Sequence, residues 1–254
     1  STEVEVSLDL GVTTRRIRLA SQPWNRKQLE TISQDEESVY FVNDKGIFKA
    51  ELSDKHFYKL MPVVKNQAPA LVIDDILMHR VKGTTPMHDA SMKAELCARK
   101  GIDMLEICTG LGYASIACLE KGVRSIVTIE KDEKVLELAR LNPWSRRIFT
   151  DDRIIVINAD ASQEIEKIDD KSFHAVMHDP PRFSMAPELY ATEFYSHLYR
   201  VLRRNGILLL YVGSPESKHW KVDLQEGIVK RLLDAGFSTV TRKEDIQSVL
   251  AFKS

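Results

Sequence analysis

Four acids stand at or near the ends of short apolar runs: Glu106 within residues 104–107, Glu130 after 125–129, Asp160 after 153–157 and Asp179 after 173–177. The carboxyl ends of successive strands face the ligand crevice of an open α/β sheet, so these acids are candidates for binding and chemistry. Between the first two lies Cys108-Thr109-Gly110-Leu111-Gly112. Its glycines let backbone approach a ligand closely, and a helix follows from Ala114 until Gly122 stops it. Glu130, about 20 residues past the glycines, is placed to accept hydrogen bonds from both hydroxyls of a ribose. A dinucleotide would want a third glycine in G-x-G-x-x-G to seat its pyrophosphate on the helix N-terminus; Ala114 or Ser115 follows instead. A phosphate-free nucleoside fits better, and Glu106, which would repel a pyrophosphate, could accept hydrogen bonds from an ammonium group such as the one in the amino-acid end of S-adenosylmethionine.

These residues resemble motif I of the class I S-adenosylmethionine-dependent methyltransferases, with Glu106, Gly110 and Gly112 matching and Cys108 standing where the family usually has its first glycine. A small apolar Cys can fill that place unless a positive φ is required there. The resemblance implies that Cys108, Thr109, Lys131 and Ala161 join Glu106, Gly110, Gly112 and Glu130 around the cofactor. It also implies that Asp160 reaches the adenine amino group and that Asp179 borders the cofactor.

His178-Asp179-Pro180-Pro181-Arg182-Phe183 resembles motif IV of methyltransferases that act on nitrogen, in which the Asp side chain and the first Pro carbonyl hold a target amine. Its D-P-P-x-F order is also similar to that of a group of ribosomal RNA methyltransferases. The implied catalytic residues are Asp179, Pro180 and His178, the last as proton acceptor, with Pro181, Arg182, Phe183 and Asp89 touching substrate. A nitrogen of RNA is the leading target, and proteins and small metabolites are the other classes. A second resemblance, carried by Glu188-Leu189-Tyr190, Glu193-Phe194-Tyr195 and Asn205-Gly206-Ile207, is to the spermidine synthases. It implies aminopropyl transfer and ranks second, because the acid-rich loop those enzymes use for a polyamine is replaced here by Pro181 and Arg182. A silent scaffold that binds RNA or protein is the third reading, and the intact acids weigh against it.

The elements that must position these residues alternate strand and helix from Asp103 onward, which requires a doubly wound, mostly parallel α/β sheet with right-handed crossovers. The resemblance implies a Rossmann-like sheet of seven strands whose last strand inserts antiparallel. Residues 1–70 read as a small β-rich module, 71–102 as a connector and helix, and 103–254 as the catalytic domain. Alternation through Val4, Val6, Leu8 and Leu10 and a turn at Asn43-Asp44-Lys45-Gly46 predict hairpins, with a helix over 23–33 between them. The connector predicts a strand over 70–78 and a helix over 90–100 capped by Asp89, with Thr85 offering a hydroxyl to the cofactor's amino-acid end. For His79 and His88 a structural role is expected. Beyond motif IV a helix is predicted over 188–202, a strand over 207–212 and a helix over 224–235.

The 254 residues carry a formal net charge of −1, which supplies no global footprint for nucleic acid. Arg15, Arg16 and Arg18, and Arg146 with Arg147, are the local basic clusters. Three cysteines without C-x-x-C spacing argue against a disulfide framework and a zinc site. Without a signal-like segment or an apolar run of roughly 18 residues, a cytoplasmic protein with no membrane contact is expected, with RNA as a possible partner, and no oligomeric state follows from the chain.

Overall fold

In a computed structural model that describes residues 3–18, 26–43, 45–213 and 218–254, the N-terminal region is built of short antiparallel strands. Strands β1 (Glu3–Leu8) and β2 (Thr13–Arg18) form one hairpin, followed by helix α1 (Arg26–Gln34). A second hairpin joins β3 (Tyr40–Asn43) to β4 (Gly46–Lys49), and a four-stranded meander runs β5 (Glu51–Ser53), β6 (Phe57–Met61), β7 (Ala70–Ile73) and β8 (Ile76–Leu77). Asp44, and the side chains of Val4, Val6, Leu8, Arg15, Arg16 and Arg18, lie outside the described residues. The single strand expected over 70–78 is instead a tight hairpin. Asp74 and Asp75 take φ of 45° and 61°, the left-handed pair that a two-residue turn needs and that Asp tolerates.

The core begins with α2 (Pro86–Cys97), which starts four residues earlier than expected because Thr85, not Asp89, is the cap. Thr85 Oγ1 accepts the His88 amide at 3.3 Å, and Pro86 fills the first helical position, where its missing N–H costs nothing. There follow β9 (Asp103–Ile107), α3 (Tyr113–Glu120), β10 (Ser125–Glu130), α4 (Glu133–Leu141), α5 (Arg147–Thr150), β11 (Ile154–Asn158), α6 (Ala161–Glu164) and β12 (Phe173–His178). A 3₁₀ turn at Pro187–Tyr190 then precedes α7 (Thr192–Val201), β13 (Leu202–Tyr211), α8 (Lys218–Asp234), β14 (Thr239–Lys243) and β15 (Ser248–Phe252). The one long helix expected over 188–202 is thus broken at Ala191.

The seven strands lie in the order β11-β10-β9-β12-β13-β15-β14. The first five pair in parallel, and β15 enters antiparallel between β13 and β14. Both faces are covered, and the period of two sends alternate residues to opposite cores. Met104, Met177 and Leu209 join the core under α2 and α3, which also takes in Tyr58, Leu60 and Leu71 of the N-terminal strands. Leu105, Val176, Leu208 and Leu210 join the core under α7 and α8. The N-terminal strands are tied to the sheet's ligand end: Tyr58 donates to Asp132, the cap of α4, at 2.7 Å, and Trp144 Nε1 donates to the Leu10 carbonyl at 3.1 Å.

Candidate active site

Strand order reverses between β9 and β12, so the crevice opens at the carboxyl ends of these two strands. Below it lies the turn after β9. Cys108, Gly110 and Gly112 take φ of 69°, 55° and 75°, so the turn does require a left-handed residue where Cys replaces glycine. A Cβ on Gly112 would lie 2.5 Å from Ile148 Cγ2, whereas one on Gly110 would meet nothing within 4 Å. Gly112 therefore serves packing, and Gly110 leaves open space in the crevice. Glu130 fastens this turn to the next strand. Its Oε2 accepts the Gly110 amide at 2.9 Å and its Oε1 the Asp132 amide at 3.0 Å. Burial pushes its carboxyl above the usual range even though these amides pull it down.

Across the crevice, Asp179 lies just beyond β12 with its amide on the Ile107 carbonyl at 3.2 Å. Its Oδ2 accepts from Lys93 Nζ at 2.6 Å. Lys93 comes from α2, where it also meets Asp89 Oδ2 at 3.0 Å one helical turn back. The same ammonium lies 4.2 Å from the centre of the Tyr211 ring, at the end of β13. Two carboxylates and an aromatic face thus enclose one cation. Arg80 completes the chain with a 2.9 Å bond to Asp89 Oδ1. The Lys93 side chain is 5% exposed, and although burial opposes its charge, Asp179 and Asp89 hold its pKa well above the ordinary lysine value. Asp179 keeps 29% of its side chain exposed.

Other expected site residues are placed differently. Glu106 shares the parity of Met104 and turns inward under α3 instead of facing an ammonium. Ser115 Oγ and Thr128 Oγ1 both donate to its Oε2, the latter at 2.6 Å, beside a tight gap lined by Met104, Ala114, Cys118, Ile126 and Met177. Burial pushes its pKa up to about 7. Thr109 is buried too, its hydroxyl 2.6 Å from that of Thr128. His178 has the opposite parity and sits fully buried under α7, packed on Phe194 with Nε2 3.0 Å from the Leu189 carbonyl. Burial holds its pKa down at about 4, so it donates Nε2–H to that carbonyl and does not take protons from the crevice.

Asp160 caps α6 through the Ser162 amide at 3.0 Å, and its other oxygen meets Lys131 at 2.6 Å. Both oxygens are engaged, and the exposed Lys131 pairs with Asp160. Ala161 is the buried first residue of that helix. Thr85 caps α2, and Asp89 is buried with Lys93 and Arg80. Pro180 is buried, and the Pro181 carbonyl accepts the Tyr190 hydroxyl at 2.7 Å, which fixes the exit from β12. Arg182 is exposed in the following turn, and Phe183, also exposed, meets Tyr190 edge-on at 5.5 Å. His79 accepts the Leu71 amide at 3.1 Å, and burial holds its pKa at about 4, a structural role. Arg146 pairs with Asp9, and Arg147 with Glu120 and Asp151, which disperses that basic cluster. Among the described residues no helix is long and apolar enough to cross a membrane.

The residues missed are Lys93, Arg80 and Tyr211. Asp89-x-x-x-Lys93 on a predicted helix was a readable pair, and Tyr211 ends a strand on the ligand side. Nothing in the sequence links Lys93 to Asp179, 86 residues away.

Residues 114–238 match the spermine/spermidine synthase domain. The fold is like that of a spermidine synthase in complex with the transition-state analogue AdoDATO, with a TM-score of 0.65 at 16% identity over 89% of this chain and 85% of that one. A polyamine aminopropyltransferase of Thermoplasma volcanium is 30% identical over 112 residues, 44% of this chain and 41% of that protein, so the chain spans less than half of that relative. Fold and matched domain define an enzyme with a class I methyltransferase-like fold whose stronger likeness is to the spermidine synthases. The chain belongs to the family of the uncharacterised protein MJ1233 of Methanocaldococcus jannaschii, to which it is 41% identical over 226 residues, 89% of this chain and 77% of that protein.

These likenesses overturn RNA methylation as the leading reading, and with it methyltransferase as the class of activity. The ranking had rested on Arg182 reaching the acceptor. Arg182 instead lies in an exposed turn, and the ammonium that binds Asp179 is Lys93 of α2.

Proposed function

We propose that this enzyme transfers an aminopropyl group from decarboxylated S-adenosylmethionine to an amine. The observation that carries the reading is Asp179: a carboxylate at the switch point, 29% exposed, already binds an ammonium through one oxygen and leaves the other for an incoming amine. The matched domain and the aminopropyltransferase relatives support the same class. The donor fits the crevice on two counts. Gly110 leaves open space above the turn where a nucleoside can lie, and the Glu130 carboxylate beside it keeps acceptor capacity for a ribose hydroxyl.

Electrostatics favours the decarboxylated donor. Glu130, Asp179, Glu106 and Asp160 all act on the partly buried Cys108 thiol, which desolvation and these acids keep protonated. Glu130 and the open oxygen of Asp179 suit a donor that carries sulfonium and ammonium, and they disfavour one that adds a carboxylate. In the reaction the amine lone pair attacks the propyl carbon next to sulfur, a C–N bond forms, and the C–S electrons return to sulfur. The product thioether leaves as 5′-methylthioadenosine while the amine's proton passes to Asp179 or water. The work of the protein is alignment of the two reactants.

The test is release of 5′-methylthioadenosine from decarboxylated or intact S-adenosylmethionine with a panel of amines. Release is expected only with the decarboxylated donor, and Asp179→Asn should slow it by roughly 100-fold or more with little change in donor affinity. Release that requires the intact donor, or unchanged rates in the variant, would overturn the assignment.

A further inference from the structure

A receptor for an ammonium group is already filled by the chain itself. Asp89 and Asp179 supply carboxylates 3.0 and 2.6 Å from Lys93 Nζ, and Tyr211 supplies an aromatic face at 4.2 Å. Arg80 occupies the remaining oxygen of Asp89 at 2.9 Å. Two acids therefore balance two bases on the acceptor side of the crevice. A di- or polyamine needs one nitrogen at the reacting carbon and a place for its second cation. Here that second place holds Lys93, and a further cation would meet like charge with no surplus carboxylate to offset it.

We propose that Lys93 determines the acceptor class: the enzyme takes an amine without a second cationic centre, because the Lys93 ammonium stands where the distal ammonium of a diamine would bind. The acceptor nitrogen meets Asp179 beside a fixed positive charge, which favours its neutral, nucleophilic form. The word acceptor rests on the aminopropyl-transfer reading, but the discrimination between one and two cations is a property of the crevice and is read from binding alone.

The experiment titrates 1-aminobutane and 1,4-diaminobutane into wild type and Lys93→Met by calorimetry, with 5′-methylthioadenosine release from decarboxylated S-adenosylmethionine as a separate readout. Wild type should bind the diamine no more tightly than the monoamine. Lys93→Met keeps the bulk and vacates the ammonium site, so it should bind the diamine at least 10-fold more tightly than wild type does, with a smaller change for the monoamine. If that variant fails to fold with two carboxylates uncovered, Lys93→Gln, whose amide still donates a hydrogen bond while the positive charge is gone, is judged by the same gain. A wild type that prefers the diamine by 10-fold, or a folded variant without the gain, overturns the proposal. Failure of all amines to release 5′-methylthioadenosine would instead count against aminopropyl transfer and leave the binding contrast to decide this inference.

Discussion

Glu106→Gln should change the pH dependence of stability in a way that can be worked out from the structure. Parity on β9 places the Glu106 carboxyl under α3, 4% exposed, where Ser115 and Thr128 donate to it. Burial outweighs those two bonds and raises its pKa from 4.5 to about 7. For an acid with a raised folded-state pKa, the contribution to stability is complete below about 4.5 and is lost as pH rises through about 7. At ~1.4 kcal/mol per pH unit the loss is roughly 3 kcal/mol. His79 and His178, held at about 4 by burial, work in the opposite sense, since they lose stability as pH falls from 6.5 toward 4. The wild-type curve alone therefore mixes both. The difference between wild type and Glu106→Gln isolates the carboxyl, because glutamine mimics the protonated acid and does not titrate. Melting curves should nearly coincide near pH 4.5 and separate by roughly 6–12 °C by pH 8, at ~2–4 °C per kcal/mol for a chain of this size, with the variant more stable. A constant offset across this range would refute the buried, raised carboxyl.

The remaining predictions concern the turn and its fastener. Glu130→Gln puts an NH₂ against one of two backbone amides; it should cost about 1–3 kcal/mol of stability and lower donor affinity roughly 10- to 100-fold, and unchanged calorimetric affinity in a folded protein would remove Glu130 from the ribose site. Gly112→Ala, whose Cβ would strike Ile148, should lower the melting temperature clearly more than Gly110→Ala, whose Cβ meets nothing; Gly110→Ala should instead weaken donor binding, and the reverse pattern would refute the division of labour. Cys108→Gly relieves a left-handed residue at φ 69° and should stabilise the protein by up to ~1 kcal/mol after the entropy of glycine is set against it; a clear loss in chemical denaturation would show that thiol packing outweighs the strain.

How far the fold was legible follows from burial. Runs such as Ala175 to Met177 and Ile207 to Leu210 are apolar on both faces because helices cover both sides of a parallel sheet, so strand order along the chain and the sheet class were readable. The antiparallel entry of β15 came from family resemblance alone. Ends were less legible because capping decides them: Thr85 took the cap expected of Asp89, and two aspartates with positive φ cut one expected strand into β7 and β8. Within the site, strand ends were readable but side-chain direction was overlooked. Had parity been counted from the apolar neighbours, Glu106 would have fallen with Met104 beneath α3, and His178 with Val176 beneath α7.

The Asp179-Pro180-Pro181 segment shows why a motif at a strand end can be sound geometry and still point to the wrong reaction. Those residues establish a carboxylate at the switch point and an exit that cannot pair onward, and such an arrangement suits any nitrogen brought to an electrophilic carbon. What separates one acceptor from another is the charge that surrounds the carboxylate. That charge arrives on other elements: Lys93 and Asp89 from a helix that precedes the first core strand, and Tyr211 from the end of β13. A hydrogen bond across 86 residues leaves no periodicity to detect. The exposed Arg182 was the nearest cation in sequence, whereas the buried Lys93, 86 residues away, is bound to Asp179 at 2.6 Å. A buried ion pair is strongly sensitive to removal of one partner, whereas an exposed charge is screened, so the specificity of the crevice follows the lysine.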